Sequence, residues 1–260
     1  HLLTKAVQEQ GIDTTGLVYD NDVHTTLALV LKKENGDRDF AFYRNPGADM
    51  NLKEEEVNES LIASSSIFHF GTLSLTDESV KMATQKAVKA AKENGLTITF
   101  DPNLREPLWR SLEEAHEQVA WGLQQADVVK ISDNEITWFT GMDNYDEGIA
   151  FLQKEYPNLK LICLSMGGDG SKAVYRDIHV AYPAFLQEAT IETTGAGDTF
   201  CACMIHTVLE NGIDHLDEEK LKEMLKFANA AASLVTTKKG ALRVMPTKEE
   251  VETFIENFKR

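Results

Sequence analysis

Residues Glu192–Phe200 read ETTGAGDTF and lead into the apolar run CACMIHTVL, which predicts a buried helix over 199–211. A glycine-rich turn at the start of a helix leaves several backbone N–H groups without intrahelical partners, beside the positive end of the helix dipole. Such a helix start suits a phosphate, or the negative charge that develops on a phosphoryl group during its transfer. Asp198, directly after the glycines, is placed to accept a proton from an attacking hydroxyl. The stretch therefore indicates phosphoryl transfer to an alcohol.

The same stretch also has a simpler interpretation, in which Asp198 only caps the helix and Gly195 and Gly197 only form a tight turn. For an isolated GxGD sequence this is the more frequent explanation. The choice between the two interpretations therefore depends on the rest of the chain.

Length and composition restrict the class of protein. The chain has 260 residues, of which 42% are hydrophobic and 26% charged, as is typical of a globular protein with one large core. A formal net charge of −16 argues against nucleic acid and anionic membranes as partners, because phosphate contacts need clustered Lys and Arg. No apolar run approaches the ~18–20 residues of a membrane span. Three cysteines without CxxC spacing indicate a reducing compartment, so we expect a cytoplasmic protein.

The order of elements predicts the class of fold. From residue 61 onward, apolar strand-like runs alternate with helical ones. Strands are predicted at 67–70, 96–100, 127–131 and 159–164, and helices at 77–93, 199–211, 217–236 and 248–258. Capping boxes at Ser111-x-x-Glu114 and Thr247-x-x-Glu250 start two helices. This alternation predicts an α/β protein with a mostly parallel sheet, covered on both faces, that binds ligands beyond the carboxyl ends of its strands.

Residues 24–44 have a different pattern. Two extended runs flank Asn35-Gly36, which is a strong hairpin signal, and polar and apolar positions alternate in the second run. We therefore expect a small β appendage outside the parallel sheet.

Several further segments carry a resemblance to a known family. They are YRNPGADM at 43–50, DPNLREPLW at 101–109, KISDNE at 130–135, LSMGGDG at 164–170, FANAAA at 227–232 and TKKGA at 237–241. Together with TTGAGDTF, and in this order, they resemble the ribokinase-like sugar kinases of the PfkB family, most closely its fructokinases. The resemblance covers essentially the whole chain. It implies a ribokinase-like three-layer α/β/α fold with a mostly parallel sheet, formed by one kinase domain over 1–260, with a small β lid inserted at 19–44.

The resemblance also implies roles at the reacting end of the site. Asp198 would be the catalytic base, and the amides of Gly195, Ala196 and Gly197 would form the anion hole. Arg105 would contact phosphate oxygens, for which a guanidinium is well suited, although a solvated loop arginine is the ordinary alternative. Asn103 and Arg44 would contact the substrate, although a turn after Arg44 explains the local composition equally well.

On the nucleotide side, the resemblance implies that ATP, bound as its Mg²⁺ complex, contacts five residues: Ser132, Gly167, Gly170, Asn229 and Gly240. Glu135 would hold the Mg²⁺ through water. Because Ser132-x-x-Glu135 is also a capping box, a purely structural role for this pair stays open.

Two features depart from the family pattern. The family usually begins with a strand that carries a sugar-binding aspartate, followed by a GG segment with a sugar-binding asparagine, whereas this chain opens at His1 without either. We therefore expect a fragment that lacks a β-α-β portion and much of the sugar pocket. In addition, Glu192 replaces an aspartate that helps to form a monovalent-cation site in family members, where Thr194 is a second candidate ligand. A longer carboxylate alters that site, and K⁺ is the cation it would take.

The leading hypothesis is an ATP-dependent sugar kinase that converts fructose to fructose 6-phosphate. Within the same class, a 2-keto-3-deoxygluconate kinase or another PfkB sugar kinase is the alternative. A non-catalytic nucleotide- or sugar-binding protein is the alternative of another class, and a NAD-binding Rossmann protein fits less well because no GxGxxG follows the first strand. We expect small-molecule partners only, and a homodimer formed through the lid.

Overall fold

The main sheet has six strands in sequential order. The computed structural model describes residues 1–32 and 38–258, and its sheet runs β3-β4-β5-β6-β7-β8. Neighbours among β3 to β6 are parallel, whereas β7 is antiparallel to β6 and to β8. The strands are β3 Ile67–Gly71, β4 Thr97–Asp101, β5 Val128–Ser132, β6 Leu161–Ser165, β7 Ser171–Tyr175 and β8 Ile178–Tyr182. The predicted mostly parallel sheet is confirmed.

Helices cover both faces of this sheet, as the three-layer prediction requires. The helices of the described residues are α1 Leu2–Gln8, α2 Glu59–Ala63, α3 Glu78–Glu93, α4 Leu112–Gln125, α5 Asp133–Thr140, α6 Tyr145–Glu155, α7 Ala196–Asn211, α8 Glu218–Val235 and α9 Lys248–Asn257. Side chains on one face of the strands pack on α3 to α6, and those on the other face pack on α7 and α8. On β6, for example, Ile162 faces the first helical layer and Cys163 the second. This alternation follows from the period of two in a strand.

Local sequence signals explain where several helices begin and end. Thr247 and Glu250 form the predicted reciprocal capping box at the start of α9. The Ser111 hydroxyl accepts a hydrogen bond from the Glu114 amide at the start of α4. Helix α3 ends at Asn94-Gly95, where Gly95 has φ of +72°, a left-handed conformation that glycine adopts without steric cost. These caps are local, and the sequence alone predicts them.

The predicted appendage is a separate two-stranded antiparallel sheet. Its strands are β1 Leu27–Lys32 and β2 Arg38–Tyr43, with Leu27 opposite Tyr43. Residues 19–26 contribute no strand, so the regular hairpin is shorter than the predicted 19–44. The Asn35-Gly36 turn lies outside the described residues. Across residues 1–32 and 38–258, no helix combines the length and apolar character that a membrane span needs.

Candidate active site

The first turn of α7 is the start of the site. Gly195 precedes the helix with φ of +79°, in the left-handed region that an L side chain rarely adopts. The Ala196 N–H donates to the Thr193 carbonyl, so the amides that the helix start directs outward are those of Gly197 and Asp198. The Asp198 side chain lies in this first turn and is exposed. The predicted base therefore stands in the open, beside the amides predicted to hold an anion.

A buried ion pair lies below this helix start. The Lys130 Nζ on β5 lies 3.2 Å from both carboxylate oxygens of Asp101 on β4, and each side chain is 6–7% exposed. The residues belong to the quoted KISDNE and DPNLREPLW segments, but the sequence pattern assigns a role to neither. The contact joins positions 29 apart in the chain, and it exists because β4 and β5 are neighbours in the sheet.

The environment of this pair shifts its pKa values. Burial raises the pKa of the Asp101 carboxyl to about 6; the Lys130 ammonium opposes this rise, and Glu135 and Asp198 add to it. Burial by itself would lower the pKa of Lys130, but the Asp101 carboxylate and then Glu135 outweigh it, so that pKa is raised. Near neutral pH the pair is therefore ionised on both sides.

The loop after β4 is attached to the start of α5. Asn103 has φ of +42°, and its N–H donates to the Asp101 carboxylate. The Glu135 carboxylate accepts the Leu104 N–H with one oxygen and the Ser132 N–H with the other, both at 2.8 Å. Ser132 and Glu135 thus form a complete capping box, and both oxygens of the carboxylate already serve backbone amides. This geometry supports the structural interpretation of the pair.

A cavity of about 320 Å³ opens beside the start of α7. Its walls come from the loop after β6, the segment after β8, the start of α7 and one side of α8. Among its lining residues are Gly167, Gly168, Gly170, Phe185, Leu186, Ala196, Gly197, Phe200, Asn229 and Thr236. Small and apolar groups form most of this wall, and the polar helix start closes one end. A nucleotide, with a planar nucleobase and a phosphate chain, fits such a cavity.

The comparisons with known proteins agree with this geometry. The profile described as "pfkB family carbohydrate kinase" matches residues 1–248. The chain belongs to the pfkB family of carbohydrate kinases. The predicted family, the ribokinase-like fold and the assignment as a carbohydrate kinase are thereby confirmed.

Among relatives in this family, Fructokinase-1 of Zea mays is 40% identical over 255 residues, which cover 98% of this chain and 78% of that protein. Probable fructokinase-2 of Arabidopsis thaliana is 39% identical and covers 98% and 77%. The crystal structure of the Xylella fastidiosa fructokinase with bound ATP superposes with a TM-score of 0.88 at 28% identity and covers 98% of this chain and 80% of that one. A Vibrio cholerae fructokinase with fructose, ADP and calcium bound has a TM-score of 0.87 at 26% identity, with the same coverage.

Of the residues that the pfkB resemblance assigns to the nucleotide, the structure brings three into the cavity wall: Gly167, Gly170 and Asn229. Ser132 and Gly240 are outside that wall. Asn229 is 7% exposed; its amide accepts the Ser171 hydroxyl and donates to the Tyr182 and Pro183 carbonyls. This side chain therefore attaches α8 to the β7–β8 hairpin.

The segment before α7 is attached to the loop after α8. The Glu192 carboxylate accepts the Gly240 N–H at 2.8 Å, and the Ile191 and Glu192 amides donate to the Thr236 carbonyl. Gly240 has φ of +115°. Glu192, predicted as a cation ligand with Thr194, thus holds the loop that contains Gly240.

Arg44 and Arg105 have different surroundings. Arg44 is 7% exposed and donates to Asp49, to the Thr76 hydroxyl and to the Leu73 carbonyl. It lines a different cavity, of about 540 Å³, and is not among the residues around the start of α7. Arg105 is half-buried, and its guanidinium donates to the Leu104 carbonyl. Arg44 therefore connects the segment after β2 to the core, whereas Arg105 belongs to the loop that follows β4.

Proposed function

We propose that the protein is an ATP-dependent fructokinase, which transfers the γ-phosphoryl group of ATP to the primary hydroxyl of fructose and yields fructose 6-phosphate. The observation that carries this proposal is the start of α7, where Gly197 lines the cavity and Asp198 follows it in the first turn of the helix. The fructokinases among its relatives, at 37–40% identity, favour fructose as the acceptor.

In this proposal the chain positions groups and stabilises charge, which is most of what phosphoryl transfer requires. Asp198 accepts the proton of the attacking hydroxyl as its oxygen bonds to the γ-phosphorus, while the bond to the β-phosphate oxygen breaks and ADP leaves. The amides of Gly197 and Asp198 stabilise the negative charge on the transferring group. The apolar wall around Phe185 and Leu186 holds the adenine ring of ATP and excludes water from it.

Mg²⁺ is expected to enter with the nucleotide. Among the described residues, no group of three or more His, Cys, Asp or Glu side chains is arranged to hold a metal ion. This agrees with an ion held mainly by phosphate oxygens and water, as is usual for Mg²⁺ with ATP. Glu135 would contact it through water with the lone pairs that the Leu104 and Ser132 amides leave available. The bound ion would neutralise charge on the phosphates.

K⁺ is proposed as an activator that binds beside Glu192 and Thr194. One oxygen of the Glu192 carboxylate accepts the Gly240 N–H, and the other can turn to a cation. Replacing KCl by tetramethylammonium chloride at constant ionic strength should lower turnover. Equal rates in the two salts would remove K⁺ from the proposal.

The β1–β2 hairpin is proposed as a lid over the sugar and as the contact between two subunits. Leu27, Leu29 and Tyr43 are 54%, 58% and 61% exposed, which is unusual for three apolar side chains on one small sheet. Leu29→Lys should shift the protein from dimer to monomer in sedimentation at micromolar concentration. Leu209→Lys, at an equally accessible position on α7, is the control. A wild-type monomer would contradict the proposal.

The three cysteines are free thiols, two of them buried. This supports the proposed location in a reducing compartment such as the cytoplasm.

A coupled assay of ADP release over a panel of sugars tests the function. We expect the highest kcat/KM with fructose, and lower values with ribose, glucose and 2-keto-3-deoxygluconate. Turnover that prefers the keto-deoxy acid would favour the alternative kinase. No sugar-dependent ADP release would leave only a binding role and contradict the proposal.

A further inference from the structure

The Lys130 ammonium lies directly under the first turn of α7. A Cβ atom built on Gly197 would lie 3.5 Å from the Lys130 Nζ, which is an ordinary contact distance. The ammonium is also 3.2 Å from each oxygen of the Asp101 carboxylate. Lys130 thus reaches from β5 to the first turn of α7, beside Gly197, whose amide the proposed function assigns to the phosphoryl group.

Stability alone does not account for a charged pair at this depth. Moving two charges out of water is costly, and a pair of uncharged side chains of similar size is often as stable or more so. On the same face of the sheet, the buried neighbours of Lys130 include Val128 on β5 and Cys163, its partner on β6. The free-energy cost of burying this ion pair indicates that the Lys130 charge has a functional role.

The charges around the pair show what that use is. Asp198 on α7 and Glu135 on α5 face the pair, and both are carboxylates, as is Asp101 within it. Desolvation, with the Lys130 ammonium, lowers the pKa of His69 on β3, against the opposing Asp198 carboxylate. The Cys201 thiol on α7 is neutral, because burial raises its pKa to about 12. Within this group Lys130 supplies positive charge where a polyphosphate would otherwise meet only carboxylates.

We propose that Lys130 is a positioning residue for phosphoryl transfer: its ammonium, held by Asp101, adds fixed positive charge beneath the Gly197 and Asp198 amides and strengthens their hold on the transferring group. This inference rests on the proposed function. A charge fixed in a dry interior stabilises the transition state without reorganisation, and it is worth more there than in water. Lys130 acts through the amides, and Asp101 acts by keeping Lys130 in place.

A neutral double variant separates this role from a structural one. Lys130→Met alone leaves the Asp101 carboxylate buried without its partner, so we expect a large fall in Tm. In Lys130→Met/Asp101→Asn the uncompensated charge is gone, and Tm should return to within a few degrees of the wild-type value. The kcat should still be lower by about 100-fold, as for loss of one oxyanion-hole donor, with KM for ATP changed by less than about 3-fold.

The matched control is the pair between Lys172 on β7 and Asp146, which is more exposed and remote from α7. Lys172→Met/Asp146→Asn should leave both Tm and kcat close to the wild-type values. Lys130→Gln/Asp101→Asn is a second neutral pair, in which the two amides can bond to each other.

The activity and stability of the neutral double variants decide whether Lys130 positions the transferring group. A Lys130→Met/Asp101→Asn enzyme with kcat within about 3-fold of wild type would show that the pair is structural only. If neither neutral pair folds, the charges are needed for the fold itself and the proposal is also overturned. A wild-type protein without turnover would instead contradict the proposed function, on which the inference depends.

Discussion

At the scale of single residues, the two glycines at the start of α7 have different surroundings. Gly195 has φ of +79°, and a Cβ atom there would lie 3.1 Å from that of Ala241. Gly197 is outside the left-handed region, and a Cβ atom there would meet only the Lys130 Nζ, at 3.5 Å. The backbone conformation therefore requires glycine at 195, whereas Gly197 leaves space next to the Lys130 ammonium.

Alanine at these two positions should separate stability from function. Gly195→Ala should lower the free energy of unfolding by about 1–2 kcal/mol, because an L residue is strained at positive φ. Gly197→Ala should leave stability unchanged or slightly higher, since alanine favours helix, but its methyl group would lie against the Lys130 ammonium and should lower kcat/KM for ATP. Urea unfolding and kcat/KM for ATP measure the two effects. A Gly197→Ala variant with full activity would show that the contact between this turn and the Lys130 ammonium has no part in catalysis.

The buried carboxylate of Asp101 predicts a dependence of stability on pH. Its pKa is raised from 3.8 to about 6, so between these pH values the native state holds a proton that the unfolded chain has released. The stability from this group is complete below pH ~4 and is lost as pH rises through ~6, by on the order of 3 kcal/mol.

Asp101→Asn should remove the part of the pH dependence of the unfolding free energy that comes from Asp101. Unfolding free energies of the wild type and the variant, measured by urea from about pH 4 to pH 7, should differ by an amount that changes across this window. The other carboxylates cancel in the difference. Two curves that run parallel through the window would contradict the raised pKa.

At the scale of elements, the hairpin of β7 and β8 closes one side of the nucleotide cavity. Helix α8 holds it through Asn229, whose side-chain amide contacts Ser171 and two carbonyls after β8. Gly170 stands where the loop enters β7, with φ of +96°, and a Cβ atom there would lie 2.2 Å from the Tyr182 carbonyl oxygen. The loop and the segment after β8 are thus in backbone contact.

Gly170→Ala should therefore be strongly destabilising, on the order of 3 kcal/mol or more, because backbone atoms would have to move in addition to the strained φ. Gly168→Ala is the control in the same loop, since its Cβ atom would meet Leu186 only at 3.7 Å. Thermal unfolding should show a large shift for the first variant and almost none for the second. Similar Tm values for both variants would contradict the prediction, because they would show that the backbone around Gly170 moves to accept a Cβ atom at little cost.

At the scale of the whole molecule, local signals predict much of the fold. Apolar runs mark β3 to β6, and capping residues such as Ser111 and Thr247 mark helix starts, because both depend on neighbours in the chain. The antiparallel β7 and β8 are not predicted. They are short alternating runs around Arg176-Asp177, a weaker signal than the apolar runs of the parallel strands.

The site shows the same division between local and distant contacts. Asp198, Gly195 and Gly197 follow from one continuous stretch, and the structure places them together at the start of α7. The Lys130–Asp101 pair depends on which strands are neighbours, and a pattern along the chain does not contain that information. Arg44 is predicted as a substrate contact from the motif around it, but its bonds to Thr76 and Leu73 come from another part of the fold.

Asp198→Asn tests the central claim most directly. Asparagine keeps the shape of the side chain and cannot take a proton, and the base acts in the transition state. With fructose and ATP, we predict a kcat lower by at least ~10³-fold, a dissociation constant for ATP within a few-fold of wild type, and an unchanged Tm. Asp217→Asn, at the start of α8, serves as the control and should turn over normally. An Asp198→Asn enzyme with near-normal kcat would contradict the account.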